Sequence, residues 1–354
     1  MTQNESLELL ELLEAPTLST VAPLIEVQNL KKYFPVKEGF FNTKIGDVKA
    51  VDGVNFTVNH GETLGIVGES GCGKSTLARC LIRLDEPDAG EIRFDGDDWL
   101  ALSSDALRQK RADMQMIFQN PYASLNPRLK VGQAIGEPLE IFKRASGQAL
   151  RMEILALLDM VGLSGSVIDR YPSELSGGQR QRVCIARALA LRPKLIIADE
   201  AVSALDVSVQ AQVLNLMDDL KKDLGLTYVF IAHNLSVVQH FCDRVAVMYL
   251  GQFMEVGTTE TIFERPQHPY TKALLDAMPI ADPLLAKQQR AGRHPLVGEL
   301  PSPMNPPSGC RFHTRCPDCF TPCALEEPAL LAVAGNDAHV SACHLSRIEH
   351  EEGI

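Results

Sequence analysis

The chain has 354 residues, 45% of them hydrophobic, and a formal net charge of −11 from 45 acidic and 34 basic side chains. That length exceeds one average domain and supports a large globular core, and the acidic balance argues against a nucleic-acid binder working through a broadly basic surface. No apolar run approaches the ~18 residues of a membrane-spanning helix, and the N-terminus lacks the basic start and apolar core of a secretion signal.

Residues 1–22 are acidic and leucine-rich and read as a leader, either a short amphipathic helix or a mobile segment, with no function assigned. Leu24–Leu30 alternates as a strand, Val48–Val58 adds strand material, and Thr63–Val67 is apolar throughout, the pattern of a buried strand. Directly after it comes Gly68-Glu69-Ser70-Gly71-Cys72-Gly73-Lys74-Ser75-Thr76. This fits a phosphate-binding loop. Glycines let successive amides turn inward onto phosphate oxygens, Lys74 reaches the β- and γ-phosphates, and the Ser75 hydroxyl ligates Mg²⁺. Ser75–Leu84 is the expected helix, its N-terminus facing the phosphates. Gly90–Gly96 is a strand bounded by turn glycines, and Met114–Phe118 is a short strand ending at Gln119.

Between about residues 120 and 190 the pattern turns helical, with helices predicted over Val131–Lys143, Gln148–Val161 and Gly177–Leu191. Beyond it, Lys194–Asp199 is a buried strand ending in the acids Asp199 and Glu200, Ser208–Leu224 a helix, and Thr227–Ala232 and Arg244–Met248 two more strands. Strands alternating with helices predict an α/β core with a mainly parallel sheet and nucleotide at the strands' carboxyl ends, the helical stretch being an inserted subdomain. From Pro266 through Pro307 the chain is proline-rich and reads as an extended arm leading to the cysteines of the tail. The expected domains are 23–257 for the nucleotide-binding unit and 258–354 for a C-terminal extension.

Asp199 suits a Mg²⁺ ligand and completes the site begun by Ser75, while Glu200, next in line, suits polarising a water. Leu175-Ser176-Gly177-Gly178-Gln179 opens a helix with amides and dipole that favour an anion. One nucleotide needs one phosphate loop, so a second anion site implies a second chain.

A phosphate loop, then LSGGQ, then an apolar strand ending Asp-Glu resembles the ATPase subunit of an ABC transporter. The resemblance implies ATP and Mg²⁺ as cofactors, with an antiparallel β subdomain beside the P-loop NTPase core. It implies that Ser176, Gly177, Gly178 and Gln179 clamp ATP held by the opposite subunit. It makes Gln119 the Q-loop residue that touches Mg²⁺, Asp206 in Ser203-Ala204-Leu205-Asp206 part of the interface-crossing D-loop, and His233 the switch histidine. Tyr33, with Phe34 as second choice, matches the aromatic that stacks on adenine. Catalysis falls to Glu200, His233, Gln119 and Lys74. Ala201 stands where many relatives have Pro, and it touches no catalytic atom.

Within that family, Leu205–Leu216, Asn120–Pro127, His268-Pro269-Tyr270-Thr271 and Gly309–His313 resemble the dipeptide/oligopeptide importer ATPases. This implies a motor at the cytoplasmic face of the plasma membrane. Its partners are a paralogous ATPase or a second copy, two permease subunits and an extracytoplasmic solute-binding protein, with no nucleic acid. Nickel or another small solute is the alternative cargo, and a non-transport or exporter ATPase the more distant one. Nine cysteines are present, and five gather in the tail. The spacing Cys310-x5-Cys316-x6-Cys323-x19-Cys343 matches this branch's four-cysteine pattern, associated with a [4Fe–4S] cluster. Four thiolates also suit zinc, and the extra Cys319 makes a Cys-x2-Cys pair that could displace a neighbour as ligand. Spacing does not choose between Fe–S, zinc and no metal.

Overall fold

The computed structural model describes residues 22–39, 43–278, 298–333 and 336–346; the predicted leader, residue 22 apart, and the middle of the predicted arm lie outside them. The strands, in chain order, are β1 (Ile25–Glu38), β2 (Thr43–Val58), β3 (Thr63–Val67), β4 (Ala89–Phe94), β5 (Asp97–Asp98), β6 (Met114–Ile117), β7 (Leu195–Asp199), β8 (Thr227–Ile231), β9 (Arg244–Tyr249), β10 (Gln252–Thr258), β11 (Leu331–Val333) and β12 (Asn336–Ser341). They form an antiparallel sheet ordered β2-β1-β4-β5 and a larger one ordered β11-β12-β10-β9-β3-β8-β7-β6. In the larger sheet β9, β3, β8, β7 and β6 run parallel, and the other three strands are antiparallel.

Every residue of β3, β7 and β8 is buried, as expected of central parallel strands covered on both faces. The two-residue period of a strand sorts their side chains into two cores. Leu195 and Ile197 join the small sheet and its Trp99, whereas Ile196 and Ala198 pack toward the helices of residues 131–189. Those helices are Val131–Ile141, Gly147–Met160 and Gly177–Leu189. Helix, strand and insertion therefore stand where the sequence pattern places them.

The departures have physical causes. β1 and β2 are longer than their apolar alternation suggests, because their mutual pairing continues past several register shifts into half-exposed polar residues. β10 follows β9 through Leu250 and Gly251, both at positive φ (43° and 83°), the two-residue turn that suits strand twist. The first part of the predicted extended arm is helical. Pro269–Asp276 is a helix whose Pro269 occupies the first turn, where its missing N–H costs nothing, and another helix, Thr259–Glu264, precedes the arm. β12 pairs with β10 through Glu255 opposite Ser341 and Val256 opposite Val340, so the tail completes the sheet. There Glu255, fully buried, accepts hydrogen bonds from the Gln267 and His268 amides and lies 2.7 Å from Nε2 of the buried His339.

Candidate active site

Adjacent strands of the parallel sheet deliver the site at their carboxyl ends, in the order β3, β8, β7, β6. The loop after β3 supplies Gly68–Ser75, β8 leads to His233, β7 ends in Asp199 with Glu200 next, and β6 leads to Gln119. Two loop glycines are irreplaceable on geometry. A Cβ on Gly68 would sit 2.1 Å from the Met248 carbonyl oxygen, and one on Gly73 would sit 2.0 Å from that of Ala50, with φ at 152° and 112°.

Lys74 begins the helix Lys74–Leu81 and is 5% exposed. Its ammonium donates to the carbonyls of Gly68 (2.8 Å) and Glu69 (2.9 Å) and lies 3.7 Å from the Cys72 sulfur. Ser75 Oγ donates to Asp199 Oδ1 at 3.0 Å, which joins loop and β7 through a hydroxyl and a carboxylate. Hard oxygen donors of this kind fit Mg²⁺. Burial raises the Asp199 carboxyl above its ordinary range, against the lowering effect of the Ser75 hydrogen bond.

Glu200 is the meeting point of the remaining candidates. Gln119 Nε2 donates to Glu200 Oε2 at 2.6 Å, and His233 Nδ1 lies 3.5 Å from the same oxygen. Glu200 sits at φ 46°, a left-handed conformation uncommon for a side chain of its size, and its amide donates to the Ile231 carbonyl. The carboxylate is thus aimed by a strained residue held to the neighbouring strand.

Ser176, Gly177, Gly178 and Gln179 lie elsewhere. Ser176 is exposed and caps the helix Gly177–Leu189, accepting from the Gln179 amide while Gln179 Oε1 accepts from the Ser176 amide. Among the described residues no hydrogen bond links this segment to the phosphate loop of its own chain. Gly178 packs so tightly on Val209 that a Cβ would meet it at 2.5 Å. Asp206 is exposed at the start of the helix Val207–Leu224, beside Val207 at 83% exposure. Tyr33 is half-buried, and its hydroxyl donates to Asp52, an anchored phenol that burial pushes up to about 12 with the Asp52 hydrogen bond adding to the shift.

Several residues bearing on the site were given no role there by the sequence reading. Tyr270 Oη accepts from the Glu69 amide (3.0 Å), Arg315 forms a two-pronged ion pair with the Glu69 carboxylate (2.6 and 3.1 Å), and Arg311 pairs with Asp52. The available signal was the His268-Pro269-Tyr270 and Arg311-to-Arg315 stretches, two arginine-bearing or aromatic islands in an acidic chain. Each arginine is also the chain neighbour of a tail cysteine.

Those cysteines form a neighbourhood. Cys310, Cys323 and Cys343 are buried, Cys316 is half-buried and Cys319 is exposed; the Cys310 amide donates to the Cys323 carbonyl at 2.8 Å. Burial pushes the Cys310 thiol up to about 11 and Cys316 to about 12, and neighbouring thiols add to both shifts. The donors are chemically suited to a soft metal. Yet among the described residues no three His, Cys, Asp or Glu side chains converge as a ligand group, so the expected metal centre lacks a formed site.

A groove of about 390 Å³ is lined by apolar side chains, Leu84, Phe118 and Ile141 among them, and by Arg108, Arg111, Glu137 and Arg187. Phe118 immediately precedes Gln119, so the groove and Glu200 share a connection one residue long.

Known proteins resemble the chain along most of its length. Residues 51–203 match the family described as ABC transporter, and residues 254–323 match the one described as oligopeptide/dipeptide transporter, C-terminal region. The chain is 53% identical over 308 residues to the dipeptide transport ATP-binding protein DppF of Haemophilus influenzae, covering 87% of this chain and 93% of that one. It is 51% identical over 332 residues to the oligopeptide transport ATP-binding protein AppF of Bacillus subtilis, covering 93% and 99%. Among solved structures it is similar to a dimeric post-hydrolysis ATP-binding cassette bound to ADP and Pi, with TM-score 0.59 and 31% identity over 66% of this chain and 98% of that one. A similar match is cbiO1 from Clostridium perfringens, part of the transporter complex cbiONQ, with TM-score 0.59 and 26% identity over 70% and 93%.

Proposed function

The chain belongs to the ABC transporter ATP-binding proteins of the dipeptide and oligopeptide branch, and from that premise we propose that it is the ATP-hydrolysing motor of a peptide importer. The observation that carries the reading is the convergence of Gln119 and His233 on Glu200, beside the Ser75–Asp199 pair and Lys74. Phosphoryl transfer asks little covalent chemistry of a protein; it asks for positioning and for neutralised charge. Gly68–Thr76 cradles the phosphates, with Lys74 exchanging its loop carbonyls for phosphate oxygens. Ser75, Asp199 and Gln119 would hold Mg²⁺, which would supply positive charge to the phosphates. Glu200 orients and polarises the attacking water, and His233 contacts the γ-phosphate. Tyr33 supports the adenine.

Ser176, Gly177, Gly178 and Gln179 serve ATP held by the opposite subunit, a paralogue or a second copy, with Asp206 at the interface. The exposure of Ser176, Asp206 and Val207 supports that role. The groove beside Phe118 takes a permease helix, so that movement there reaches Gln119. No described helix is long and apolar enough to cross a membrane, and membrane contact is assigned to two permease subunits at the cytoplasmic face, fed by an extracytoplasmic binding protein. Residues 23–257 form the ATPase unit and 258–354 the extension of this branch.

In a cell that carries the cognate permease and binding-protein genes, deleting this chain is expected to abolish uptake of a labelled dipeptide and to spare nickel uptake. The opposite pattern overturns the peptide assignment.

For the tail, we propose Cys310, Cys316, Cys323 and Cys343 as the ligands of a [4Fe–4S] cluster, with zinc as the alternative and Cys319 as an alternative ligand. Cys310, Cys323 and Cys343 are buried and Cys316 half-buried, and thiols whose hold on their protons is raised would have to release them on metal binding. Anaerobically purified protein should be brown and carry iron and sulfide. Stoichiometric zinc without colour refutes the cluster, and absence of both refutes a metal.

A further inference from the structure

A phosphate-binding loop that carries a carboxylate places a negative charge beside a polyanionic ligand. Glu69 is the second residue of the loop, and its charge has to be offset for the loop to attract a triphosphate. The offset comes from outside the ATPase region. Arg315, in the stretch that matches the C-terminal region of peptide transporters, donates Nη1 to Glu69 Oε2 at 2.6 Å and Nη2 to Glu69 Oε1 at 3.1 Å. The Arg315 side chain is 5% exposed and that of Glu69 27%, so the pair is shielded and bidentate, the geometry in which such a bond is strong and directional.

The arginine is itself held in place. Its Nη1 also lies 3.3 Å from the Tyr249 hydroxyl, and its guanidinium sits 5.8 Å from the centre of that ring. Tyr249 packs against Tyr270 and Phe312, with ring centres 4.7 and 5.4 Å away. Tyr270 in turn accepts the Glu69 amide. Glu69 is therefore gripped at its side chain by Arg315, at its N–H by Tyr270 and at its carbonyl by Lys74.

We propose that Arg315 is a positioning and charge-neutralising residue of the ATP site, turning the Glu69 carboxylate away from the phosphates and cancelling its repulsion, so that the C-terminal extension sets nucleotide affinity. The inference rests on the reading of Gly68–Ser75 as the nucleotide loop.

The test is a double-mutant cycle on the full-length protein, with MgATP and MgADP titrated by calorimetry. Arg315→Met is expected to weaken MgATP binding about tenfold, from one uncompensated charge near the phosphates, and MgADP binding less. In a Glu69→Gln background the same Arg315→Met change is expected to cost less than with Glu69 in place, because no carboxylate remains to be turned from the phosphates and only the arginine's own attraction for them is lost. Arg315→Lys should lie between, keeping the charge and losing the fork. A purely structural arginine would cost as much in the Glu69→Gln background as with Glu69 in place, and that result overturns the proposal, as does wild-type affinity in Arg315→Met. Thermal melting of each variant separates misfolding from weakened binding; if Arg315→Met does not fold, equal MgATP affinity in Arg315→Lys and the unaltered protein overturns the idea. Failure of the unaltered protein to bind MgATP at all instead refutes the nucleotide reading of the loop.

Discussion

Glu200→Gln should leave ATP binding intact and lower the rate of hydrolysis by about 100-fold or more, the usual contribution of a positioned general base. The substitution keeps size and hydrogen-bonding capacity. Backbone strain at φ 46° and the amide bond to the Ile231 carbonyl are also retained, so the fold has no reason to change. What is lost is the negative charge and basicity of the oxygen that Gln119 and His233 both approach. Phosphate release gives the rate and nucleotide titration gives the affinity. Turnover within about threefold of the unaltered protein would remove Glu200 from its assigned role, since a loss that small lies far below what a general base supplies.

Lys74→Ala should act on the other quantity and weaken MgATP binding by about 10- to 100-fold, the worth of one or two charge-assisted hydrogen bonds. Lys74 is nearly buried, and its ammonium bonds to two carbonyls of its own loop. Removing it deletes the charge that phosphate oxygens would meet and leaves the Gly68 and Glu69 carbonyls without that donor. Loop disorder could produce the same loss, so melting temperature and the Lys74→Arg variant serve as controls. A folded Lys74→Ala protein with unchanged affinity would sink the assignment. Together the two substitutions divide the site into a part that holds nucleotide and a part that acts on it.

How legible the molecule is from sequence follows from the range of the forces involved. Apolar runs such as Leu195–Ala198 are visible because a two-sided parallel strand admits few polar residues. Glu200 is legible because it directly follows such a run; Gln119 and His233 also follow strands, but only the family resemblance singles them out, and the sheet then brings the three side chains together. Arg311 and Arg315 were not legible. Their partners Asp52 and Glu69 are roughly 250 residues away in the chain, and no local pattern encodes an ion pair of that span. β10 was missed because its turn uses Leu250 at positive φ in place of the Asn or Asp that usually marks such hairpins. The tail helix at Pro269 was hidden by the proline that begins it. The cysteine pattern predicted a ligand set, and the described side chains form a buried thiol neighbourhood without convergence.

The pairing of β12 with β10 also has a consequence in time. During synthesis β10 leaves the ribosome some eighty residues before the strand that will lie beside it. Over that interval its outer row of amides and carbonyls is uncovered, and Glu255 waits for His339. The nascent protein thus carries an open sheet edge from the moment its parallel strands can assemble until β12 arrives, and that interval is where misassembly and chaperone engagement should concentrate.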